Sequence, residues 1–133
     1  MTSINAAVRF HGHLGPYLVL GLLAGEMGLK RTGSNKYFGL EVKVYGANKK
    51  PKSCLIDGLQ LSTGATYGKG NIQKHGARDI KINFCNLENN KKLTLAINER
   101  VESEIDALKG HSDSERFARR LLKIDKKDIF IIL

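Results

Sequence analysis

Two histidines separated by one glycine, His11-Gly12-His13, stand just ahead of Gly15-Pro16. In an extended backbone, residues two apart point to the same face, about 6.6 Å apart along the strand. Both imidazoles would then converge on one ion or one substrate. The alternative is that one histidine caps the helix that follows and the other is an ordinary surface side chain. Further along, Cys54, Asp57 and Gln60 are spaced by three, so on a helix they share a face. Two imidazoles and one thiolate are a known ligand set for zinc with a fourth position left open, which suits water activation or substrate binding. The competing reading has Asp57 capping the helix or pairing with Lys69, and Cys54 simply buried; composition does not choose between them. A third stretch, Ser62 to Asn71, is rich in glycine and holds a lysine. It fails as a P-loop: Thr63 stands where that motif needs its first glycine, and Gly70 where it needs Ser or Thr. Thr63, Gly64, Gly68, Lys69, Gly70 and Asn71 would still make a nest of donors for an anion.

These residues need elements to position them. Gly15-Pro16 reads as a helix entrance, since proline suits a first position where no intrahelical N–H bond is lost. Pro16 to Leu29 is apolar nearly all round, which predicts a buried helix whose N-terminal dipole favours an anion beside the histidine pair. Ile4 to Phe10 reads as a short helix leading into that pair. Gly21, Ala24, Gly25 and Gly28 thin one side of the buried helix. Each glycine costs about 1 kcal/mol of helix propensity against alanine, so the spacing predicts a close backbone, from either the same chain or a second copy. Lys30 to Asn35 reads as a turn. Tyr37 to Gly46 alternates as a half-buried strand, with Phe38, Leu40, Val42 and Val44 on one face. Ser53 reads as the N-cap of a helix over Cys54 to Leu61, placing Cys54 in a first turn where the dipole lowers a thiol's pKa. Ile80–Phe84 and Leu93–Ile97 read as an antiparallel hairpin. Glu102 to Leu108 reads as helix, Ser112-x-x-Glu115 as the capping box of another, and Ile129 to Leu133 as a closing strand. This order predicts a single α+β domain, residues 1–133, on a mostly antiparallel sheet.

The 133 residues suffice for one core and not for two. With 41% hydrophobic and 26% charged residues the chain is globular, and a disordered class is excluded. Cys54 and Cys85 are too few for a disulfide framework and read as reduced thiols. The N-terminus lacks the basic start and apolar run of a secretion signal. The apolar run from Tyr17 to Leu29 is too short to span a bilayer. A cytoplasmic protein without membrane contact is the expectation. The net charge of +9, from 22 basic and 13 acidic residues, points to an acidic partner, an anionic ligand or nucleic acid. Nucleic acid is the weakest of these, because the basic pairs are scattered and no aromatic platform is interleaved with them. A metal-free basic module docking on an acidic partner stands as the alternative to a metal site.

Three blocks occur in order: F-H-G-H-L-G-P at Phe10 to Pro16, C-x-x-D-x-x-Q at Cys54 to Gln60, and T-G-A-T-Y-G-K-G-N at Thr63 to Asn71. Together they resemble the FmdE family of formylmethanofuran dehydrogenase proteins, from about Phe10 to the C-terminus. The resemblance implies an α+β core that pairs as a homodimer. It implies zinc or another transition metal, with His11, His13 and Cys54 as ligands and Asp57 and Gln60 orienting them. It implies an accessory role in one-carbon metabolism and methanogenesis, with the other proteins of formylmethanofuran dehydrogenase as partners. The likeness is to the family's core, without the zinc finger that members often add at the C-terminus. The chain departs from the family pattern twice, with Gly15 and Ala65 where members usually carry cysteine. Losing two thiols removes the softest ligands and lowers the expected affinity for zinc.

Overall fold

A computed structural model describes residues 2–133. The chain runs α1 (Ile4–His11), α2 (Pro16–Thr32), β1 (Leu40–Tyr45), α3 (Cys54–Thr63), β2 (Ile72–His75), β3 (Lys81–Asn86), β4 (Lys92–Ile97), α4 (Glu99–Asp106), α5 (Gly110–Leu121), α6 (Lys126–Ile129) and β5 (Phe130–Ile132). It is a single α+β unit. Among the described residues no helix is long and apolar enough to cross a membrane.

The apolar run forms α2 and is buried on every side, from Pro16 through Gly25. Pro16 occupies its first turn, and Gly33 ends it in the left-handed region, φ 69°, donating its N–H to Leu29 O. The helix therefore runs one turn further than the sequence suggests. Lys30 and Arg31 lie in that last turn, where the helix dipole favours cations.

The thin face of α2 meets the chain itself. A Cβ on Gly21 would overlap Leu55 O and press on Gly58 Cα, while one on Gly58 would overlap Leu18 O. Here α2 and α3 cross backbone against backbone. One turn on, Gly25 faces the Ser62 side chain, and Gly28 accommodates the Phe84 ring of β3. Of the two partners open in the sequence, the neighbouring elements of the same chain occupy the stripe, so it carries no argument for a second copy.

The sheet has the order β2-β1-β3-β4-β5. Only β1 and β2 run parallel; the other neighbours are antiparallel. A parallel pair needs a crossover, and α3 is that crossover, which fixes its start beside α1. In register, Val44 lies opposite Ile82, and Ile82 opposite Leu95. These with Val42 and Phe84 form the buried face, against which α2 packs.

Several local readings differ. Phe38 is 73% exposed, because positive φ at Tyr37 (77°) and Gly39 (79°) turns the chain before β1 begins. Ser53 makes no side-chain cap. Ser112 lies inside α5 rather than capping it; that helix opens at Gly110, and the Lys109 N–H reaches the Asp113 carboxylate instead. The edge strand β2 carried no signal, as only Ile72 of its four residues is buried.

Candidate functional site

The histidine pair is not extended. His11 ends α1, and Gly12, at φ 110°, reverses the chain and donates its N–H to Val8 O at 2.7 Å. Glycine suits that left-handed position because it has no Cβ to clash. The two imidazoles still meet, with ring centroids 5.0 Å apart and planes tilted by 37°. A turn brings them together, not the pleat of a strand.

From α3, the Asp57 carboxylate reaches His11, with Oδ2 2.6 Å from Nδ1. A carboxylate only accepts, so Nδ1 carries the proton and donates it. That fixes the tautomer: whenever the ring carries a single proton, Nε2 bears the lone pair. Nε2 is buried and has no hydrogen-bond partner, on a side chain only 9% exposed. Buried polar atoms are normally paired. An orphan imidazole nitrogen held by a carboxylate behind it is arranged to meet a ligand.

His11 lines a cavity of about 360 Å³ together with His13, Cys54, Tyr17, His111 and Ser114. Cys54 sits in the first turn of α3, one turn before Asp57, but its thiol does not behave as the helix-start reading predicts. Burial pushes its pKa up, Asp57 adds to this, and Lys50 only partly opposes them. The dipole is weak here because the first N–H groups of α3 are already used. Cys54 N donates to Pro51 O, Leu55 N to Lys52 O and Ile56 N to Ser53 O. Among the described residues, no three His, Cys, Asp or Glu side chains stand close enough together to hold a metal ion.

Two members of this cavity escaped the sequence reading. His111, on α5, brings its ring to 5.9 Å from that of His13, edge to face. Tyr17, on α2, is 2% exposed with its hydroxyl unpartnered. Nothing in the spacing links His111 to the histidine pair, and Tyr17 reads simply as part of an apolar helix. Burial holds the Tyr17 phenol protonated, with Glu102 and Asp106 adding to the effect.

His13 has its pKa lowered by burial first, then by His11 and His111. A neutral imidazole beside two others avoids like-charge repulsion. The unfolded chain takes this proton more readily than the fold does. The group therefore withdraws stability as pH falls below the ordinary value of 6.5 and has no effect well above it. Imidazole titration by NMR is expected to give His13 a midpoint below 6.5; a midpoint at or above that value contradicts this crowding.

The glycine-rich loop closes the other end of α3. Gly64 donates its N–H to Gln60 O. Gln60 turns its side chain to this loop rather than to the histidines, accepting from Tyr67 N at 3.2 Å. Thr66 N donates to the Asn71 amide oxygen, while Thr63 Oγ1 bonds Leu59 O and accepts from Ala65 N. The Lys69 ammonium bonds Gly64 O and lies 5.5 Å from the centre of the Phe38 ring. Gly70 borders open space and Gly68 only the Thr66 hydroxyl, but as they lie the loop's donors satisfy the loop itself. The two departures sit differently: Ala65 is fully buried, whereas a Cβ at Gly15 would stand 3.2 Å from His13 Nε2.

A family model described as FmdE, molybdenum formylmethanofuran dehydrogenase operon, matches residues 10–131. The match runs from the residue before the histidine pair into β5. No curated protein matches the chain.

Proposed function

The chain belongs to the FmdE family, that of the molybdenum formylmethanofuran dehydrogenase operon, and from that membership we propose that it is a cytoplasmic, metal-binding accessory protein working with the dehydrogenase of such an operon. One observation carries the metal reading: His11 Nε2 is buried and bare while Asp57 holds Nδ1. A carboxylate behind a ligating imidazole sets its tautomer and raises its basicity. The donor types, though not their present spacing, fit zinc or a similar transition ion; His11, His13 and Cys54 would have to draw together to hold it. The ion would serve as a Lewis acid toward an oxygen bound in the cavity. Burial first, then His11 and His111, lower the pKa of His13, which favours the neutral ring with a lone pair to offer. The Cys54 thiol, pushed up by burial, would give up its proton only to a cation, which makes binding pH-dependent.

The same reading makes the chain a homodimer. Its support is β5, an open sheet edge with Ile131, Ile132 and Leu133 exposed on and beside it. Protein purified without chelator or nickel resin is expected to carry a stoichiometric transition metal and to sediment as two chains at micromolar concentration. A metal-free preparation that also fails to take up added zinc overturns the metal reading, and a monomer overturns the pairing.

A further inference from the structure

Two cavities meet at the histidine wall. The first is lined by His11 and Tyr17. The second, about 480 Å³, shares His13 and His111 with it and adds Arg9, Arg119, Asn5 and Glu115. We propose that the two form one cleft for a small organic carboxylate, with an acceptor oxygen at the Tyr17 hydroxyl and the carboxylate at Arg9 and Arg119. This rests on the histidine cavity being the functional site and names the ligand class it takes.

At the inner end stands an unpaired buried hydroxyl. Tyr17 is 2% exposed and its hydroxyl has no partner. Burial keeps it protonated, so it offers an O–H and needs an acceptor. Folded proteins rarely leave such an atom buried beside a cavity. The same cavity is also lined by Leu18, Pro51, Ile105 and Leu108, so the middle of the ligand is hydrocarbon in character.

The outer end is argued from charge. Arg119 pairs with Glu115 at 3.2 Å, so the two guanidinium groups and one carboxylate leave a single positive charge. At this end the balance suits one singly charged carboxylate group, which a guanidinium grips through two parallel bonds, better than a dianionic phosphate.

The test is titration of metal-stripped protein with propionate, succinate, glutarate and inorganic phosphate, followed by NMR shifts of His13 and His111. Succinate or glutarate is expected to bind about tenfold tighter than propionate. Tyr17→Phe is expected to abolish that preference with an unchanged melting temperature, and Arg9→Ala to weaken every carboxylate by about threefold to tenfold. Equal affinity for one and two carboxylates, indifference to both variants, tighter binding of phosphate, or no binding up to about 10 mM overturns the proposal. Zinc uptake by wild-type protein that ignores the diacids sinks this inference alone. Diacid binding by protein that refuses zinc sinks the metal reading alone.

Discussion

Replacing Gly58 with alanine is expected to destabilise the protein by about 3 kcal/mol, at the upper end of what overpacking costs. The new methyl would overlap Leu18 O and press on Leu22 N and Gly21 Cα, all of them backbone atoms of α2. A side chain could swing aside, but the backbone of a helix buried on every side cannot move without shifting its whole packing. Helix propensity works the other way, since alanine gains about 1 kcal/mol over glycine. The steric term wins because both helices are pinned, α3 by its crossover between β1 and β2 and α2 against β3. A loss of that size is a large share of the roughly 5–15 kcal/mol typical of a folded domain. Urea unfolding measures it, with Gly68→Ala as the control, since a Cβ there would meet only Thr66 Oγ1, at an ordinary contact distance of 3.9 Å. A Gly58→Ala midpoint equal to wild type contradicts the backbone contact.

The second large effect is on metal affinity. Asp57→Asn is expected to weaken zinc or cobalt binding by about 10–100-fold while leaving the fold intact. Asparagine keeps the shape of the side chain and can still accept from His11 Nδ1. What it lacks is the negative charge that makes Nε2 a better electron-pair donor and favours a cation nearby. Asp57 is 36% exposed, so its loss from the 2.6 Å pair weighs more on the ligand than on stability. His11→Ala, which removes the donor itself, is expected to exceed the asparagine effect. Competition against a chromophoric chelator reads both. If the Asp57→Asn variant binds zinc as tightly as wild type, the carboxylate does not tune a metal ligand.

Much of the scaffold was legible because the signals are local. The apolar run after Gly15-Pro16 makes α2, and the alternation of Ile80–Phe84 and Leu93–Ile97 makes the β3–β4 pair. Sterics and side-chain period act within a few residues, so they survive without knowledge of the fold. Local hydrogen-bond partners were less legible. Ser53 and Ser112 have the right chemistry for caps, but a preceding turn and an earlier helix start take those roles away. The edge strand β2 is held by backbone pairing to β1 and by one buried isoleucine, and neither leaves a periodic pattern.

The sequence by itself determined that His11 and His13 lie together ahead of a buried helix, and that Cys54 and Asp57 share one face of another. It also determined the α+β class and, through three blocks in order, the family. Tertiary structure decided what those residues meet. It set Asp57 against His11 rather than Lys69, turned Gln60 toward the loop, and brought His111 and Tyr17 into the cavity. It gave the glycine stripe to α3 and Phe84 of the same chain, and it reversed the expected shift of the Cys54 thiol. The physical reason is range. A dipole, a cap or a spacing is a property of neighbouring residues, whereas burial, a charge from another element and the partner of a thin helix face exist only once the chain has closed on itself.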